Sequence, residues 1–151
     1  MTSIPFGIDD RFDLPENRAV VDFIRRTNPS AHDDVLSSLI RSAAGLNVKW
    51  YLPDPRGHSY AVLHTETNRI YAVVFGMSGL AYRLPRNLVT QAVADGGVVC
   101  AEIGEGWVRF EPWTAGEAIP VTDARLKRWC KAALYYAISP RARRHSLTLP
   151  G

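Results

Sequence analysis

Residues able to make or break bonds are few in this chain and poorly spaced for the purpose. The histidines are His32, His58, His64 and His145, and no two stand one helical turn apart as a helical zinc site requires. His58, His64 and Glu66 fall around one predicted strand, which an incidental arrangement explains without a metal. Cys100 and Cys130 are far apart, have apolar neighbours and form no Cys-x-x-Cys, so they read as buried free thiols. Ser78 lies in a Gly-Met-Ser-Gly turn where serine suits the backbone, and there is no Gly-x-Ser-x-Gly elbow. Glu102, Glu105 and Glu111 fall on one predicted hairpin with Arg109, which is the pattern of cross-strand ion pairs. No glycine-rich run joins a strand to a helix N-terminus, as phosphate loops demand. The expectation is no catalytic residue, no metal and no cofactor.

Charge gives a clearer signal. The net charge of the 151-residue chain is only +3, but the acids gather early, at Asp9, Asp10, Asp13, Glu16, Asp22, Asp33 and Asp34. From Ala124 onward there is no acid, against Arg125, Lys127, Arg128, Lys131, Arg141, Arg143 and Arg144. On a final helix Arg125, Arg128, Lys131 and Tyr135 project together with Lys127 to one side, a strip suited to neutralising phosphates or carboxylates. Tyr82, Trp107, Trp113 and Tyr136 are candidate stacking groups.

The elements that must position these residues follow from periodicity. Ala19, Val20, Phe23 and Ile24 make one helical stripe, opened by Asp13 and closed by Asn28-Pro29. Val35, Leu36, Leu39, Ile40 and Ala43 make a second, opened by Ser30 and closed by Gly45. Four strands follow as an antiparallel meander, at 48–52, 59–65, 70–75 and 80–84, with a firm turn at Pro53–Gly57. Ile70–Phe75 is apolar at every position, as a central strand covered on both faces would be. A third helix starts at Pro85 and ends at Asp95-Gly96-Gly97; strands 98–103 and 107–113 and a helix capped by Thr122 complete the order. Pro112 hints that the last strand is an edge. The reading is α+β, α-α-β-β-β-β-α-β-β-α, with an antiparallel sheet of about six strands and helices packed on one side. Residues 1–139 form one domain with an irregular arm at 1–12, and 140–151 form a mobile basic tail. No apolar run is long enough to span a membrane and the N-terminus has no signal-peptide pattern, which predicts a cytoplasmic protein.

The run Ile70-Tyr-Ala-Val-Val, then Leu80-Ala-Tyr-Arg-Leu-Pro, Gly96-Gly97, Gly106-Trp107-Val108-Arg109-Phe110 and a final amphipathic helix resembles the TfoX N-terminal and MmcQ/YjbR-like domains. The resemblance spans roughly residues 68–138 and leaves out the first two helices and the Pro53–Gly57 turn. It implies an α+β architecture shared with type III secretion chaperones and frataxin-like proteins. It also implies a regulatory or binding module, with DNA contact suggested for some members and no catalytic residues to carry over. The expected function is therefore a non-catalytic binding module that meets nucleic acid or an acidic protein through its final helix and last hairpin. The expected contact residues are Trp107, Arg109, Trp113, Arg125, Lys127, Arg128 and Lys131. One alternative is a chaperone-like or adaptor homodimer that uses an aromatic sheet edge. Another is a small-molecule site or enzyme between the sheet and the first two helices, near Tyr60, His64 and Glu66.

Overall fold

The fold is built outward from a strand that has no polar face. In the computed structural model, which describes residues 14–27, 31–46, 48–53, 59–76, 79–111 and 119–138, that strand is β3 (Ile70–Phe75). It lies inside a six-stranded antiparallel sheet with β1 (Lys49–Tyr51), β2 (Tyr60–Leu63), β4 (Gly79–Arg83), β5 (Val98–Val99) and β6 (Trp107–Phe110). The spatial order is β1-β2-β3-β4-β6-β5. The helices are α1 (Pro15–Thr27), α2 (Asp33–Ser42), α3 (Arg86–Ala94) and α4 (Ile119–Ile138). Class, strand number and element order agree with the sequence reading.

Helix placement does not. Val62, Ala72, Tyr82 and Val108 stand in one row across the sheet, and Ala61, Val73, Ala81 and Arg109 in the next. Residues of the first row pack with Val35 and Leu39 of α2, Leu88 and Ala92 of α3, and Leu126, Trp129 and Ala133 of α4. The apolar residues of the second row pack with Val20, Val21, Phe23 and Ile24 of α1. The helices therefore cover both faces, with α1 opposite the other three. The cause is β3 itself: Val73 and Ala72 point to opposite sides, and each needs an apolar cover.

A bulge adjusts this alternation at one end. Val62 opposes Ala72 but Leu63 opposes Ile70, so Tyr71 is the extra residue. Ile70 is thereby turned toward α1 while Tyr71 joins Ala72 on the other side. Asn17, wholly buried in α1, fixes the helix to this bend. Its amide donates to the Asn68 carbonyl at 2.7 Å and its oxygen accepts from the Ile70 N–H at 2.8 Å. Beside it, Glu16 pairs with Arg69 at 3.2 Å, and Arg69 also donates to the Ala137 carbonyl near the end of α4. The start of α1 and the end of α4 are thus tied to one point of the sheet.

Several boundaries differ from expectation for local reasons. His32, rather than Ser30, caps α2, its Nδ1 accepting from the Asp34 N–H at 3.1 Å. Thr122 lies within α4, not at its cap. β5 stops after Val99 because Ile103 donates back to Cys100 in a turn, which tucks Ile103 into the α1-side core. β6 is an inner strand, between β4 and β5, so the edges are β1 and β5. The arm, the tail, the Asp13 cap, most of the Pro53–Gly57 turn and Trp113 lie outside the described residues.

Candidate functional site

Among the described residues, the two cysteines and His64 are buried in the interior. Cys130 is fully buried, and burial pushes its thiol up to about 12 against a smaller opposing pull from Ser42 and Lys127. Burial, then the nearby Glu102 carboxylate, pushes Cys100 up to about 11. Both are neutral thiols at physiological pH and poor nucleophiles. Near Cys130, the Tyr82 hydroxyl donates to Ser42 Oγ at 2.8 Å, and Ser42 donates to the Leu39 carbonyl. Burial holds the hydroxyls of Tyr82 and Tyr71 well above the ordinary phenol range. His64 is buried and its Nδ1 accepts from the Thr67 N–H, so it is occupied in closing its own turn. α1 and α2 lie on opposite faces of the sheet, so the two helices do not enclose a common space with Tyr60, His64 and Glu66. No group of three or more potential metal ligands occurs among the described residues.

The expected contact residues separate into different places. Trp107 is 1% exposed, in the core beneath α1, and is a packing residue. Tyr82 and Tyr136 are buried as well, which removes them as stacking groups. Arg109 stands in the row of Ala81 and Val98, on the α1 side of the sheet, away from α4. There it belongs with Glu102, whose carboxyl is held below its ordinary range first by its own backbone amide, then by the Cys100 thiol, with a smaller pull from Arg109. Trp107 and Arg109 of the last hairpin thus lie on the face of the sheet opposite α4.

The four α4 cations stay together. The helix buries Leu126, Trp129, Cys130, Ala133 and Ala137 and turns Lys127, Arg128, Tyr135 and Ile138 outward, with Lys131 half-buried between them. Arg125 is the least available, since it pairs with Asp95 at 3.6 Å. The other oxygen of Asp95 accepts the indole N–H of Trp129 at 2.7 Å, joining the end of α3 to α4. Lys127 donates to the Ala44 carbonyl just past α2, where a cation also suits the negative end of that helix. Arg128 lies over the Trp129 ring at 5.5 Å. The carboxylate of Asp123 is taken by Arg41, with both oxygens 3.1–3.2 Å from its Nε.

The carboxylates of Asp95 and Asp123 are therefore turned to Arg125 and Arg41. Lys127, Arg128 and Lys131 have no described carboxylate within ion-pair distance. What remains is an outward strip of positive charge that no acid among the described residues compensates, leading into an exposed Tyr135 and Ile138 (47% and 43% exposed). The strip was visible in the helical spacing. The role of Asp95 was not: Asp95-Gly96-Gly97 reads only as a helix stop, and nothing local marks Trp129 as its partner. Comparison with family models, with curated proteins and with solved structures found no match.

Proposed function

We propose that the protein is a non-catalytic binding module whose partner is polyanionic and docks on the outward strip of α4. The observation that carries this reading is the charge partition around that helix. Asp95 and Asp123 are engaged by Arg125 and Arg41, which leaves Lys127 and Arg128 facing outward and Lys131 half-buried between them with no acid partner among the described residues. The buried, neutral thiols and the apolar packing beneath α4 support a surface role over an interior one. The resemblance of residues 68–138 to TfoX N-terminal and MmcQ/YjbR-like domains points to the same class. The last hairpin is not part of the proposed surface.

The test is a titration of a labelled polyanion, followed by fluorescence anisotropy at low and high salt. Binding weakens steeply with salt in the native protein. Arg128→Glu with Lys131→Glu abolishes it, whereas Arg18→Glu with Arg26→Glu, an equal charge change on exposed positions of α1, leaves most of it. Equal losses in the two variants would mean that only net charge matters, and the α4 assignment would fall.

A second reading has one observation in its favour. Trp50 on the edge strand β1 is 42% exposed, which would suit a homodimer joined through an aromatic sheet edge. Light scattering separates the two, since only this version requires a stable dimer that Trp50→Ala disrupts.

A further inference from the structure

We infer that the α4 strip receives an acidic amphipathic helix of a protein partner, not a nucleic acid. This inference rests on the polyanion reading above and specifies its partner class. The outward residues fall at Lys127 and Arg128, Lys131, Tyr135 and Ile138, steps of three and four that keep them on one line along the helix. The line runs for about 16 Å, roughly three turns, which is the length over which two packed helices exchange side chains. It has two halves of different chemistry. The first half is cationic and meets no acid among the described residues. The second half offers an aromatic ring and an aliphatic side chain, each close to half exposed, on a helix whose other large apolar residues with described side chains are buried.

The second half decides the partner. Phosphates need cations or hydrogen-bond donors, and a base needs a flat face; Ile138 supplies neither. Against the apolar stripe of a helix, both Tyr135 and Ile138 would leave water together. The carboxylates of that partner would lie over Lys127, Arg128 and Lys131, which fixes their position along the strip. The α4 dipole acts in the same sense, because its negative end lies at Ile138 and disfavours partner acids there. A partner with acids at one end and apolar residues at the other therefore fits in one orientation only.

The experiment compares two probes on the full chain by anisotropy. One is a helical peptide about 20 residues long, with Leu along one face and Glu concentrated toward one end. The other is a single-stranded oligonucleotide of similar charge. The peptide binds more tightly. Tyr135→Ser with Ile138→Ser weakens the peptide by about 10-fold or more and leaves the oligonucleotide unchanged. Both positions are exposed, so the circular dichroism and melting temperature of this variant match the native protein. Arg128→Glu with Lys131→Glu loses both probes. Tighter binding of the oligonucleotide, or a peptide affinity indifferent to the serine pair, would overturn the helix partner and leave the polyanion reading standing. Binding of neither probe would overturn both.

Discussion

At the scale of single residues, burial keeps the two cysteine thiols protonated. Cys130 and Cys100, pushed up to about 12 and about 11, resist alkylation at about pH 8 in the native protein and react once denaturant exposes them. Mass spectrometry of iodoacetamide-treated samples checks this. The same burial makes alkali destabilising. The unfolded chain releases the Cys130 proton near 9 and the folded chain holds it until about 12, so this contribution is complete below pH 9 and is lost as pH rises through that window. The raised phenols of Tyr82 and Tyr71 act in the same direction. Melting temperature therefore falls as pH is raised above 9. Asn17 is the polar residue with most at stake, because Asn17→Ala strips partners from the Asn68 carbonyl and the Ile70 N–H at once. A loss of about 2–3 kcal/mol is expected in urea unfolding.

At the scale of elements, what a residue does depends on which face of the sheet it meets. Trp107 and Arg109 share a side of β6, yet one is sealed under α1 and the other stands beside Val98 toward the edge. Trp107→Ala is expected to cost about 3–5 kcal/mol of stability, measured by chemical denaturation, while polyanion binding by the folded protein is retained. The meander and the helix periods were legible in the chain because each depends on neighbours in sequence. The side on which α1 packs was only half legible. The uninterrupted apolar run of β3 demands two covers, but nothing in α1 states which face it takes. Edge assignment failed for a related reason. Pro112 suggested an outer strand, whereas pairing of β4 with β6 is a long-range choice that places β5 outermost. Likewise the basic strip of α4 was readable from spacing, and its relation to Asp95 was not.

At the scale of the whole molecule, the asymmetry of charge along the sequence is partly cancelled and partly kept by folding. Arg69 meets Glu16, Arg41 meets Asp123 and Arg125 meets Asp95, so acids and bases from distant parts of the chain are brought together. Among the described residues, Lys127, Arg128 and Lys131 keep part of the asymmetry on the outer face of α4, on the side of the sheet away from α1. Among the described residues, no helix is long and apolar enough to cross a membrane. The measurement that addresses this surface most directly is amide chemical-shift mapping during titration with an acidic amphipathic peptide at low salt. The expected result is a continuous set of perturbations from Lys127 to Ile138, fading as salt is added, with α1 and β5 unmoved. Perturbations centred on Trp50, on Val98 and Val99, or on α1, with α4 silent, would contradict the assignment.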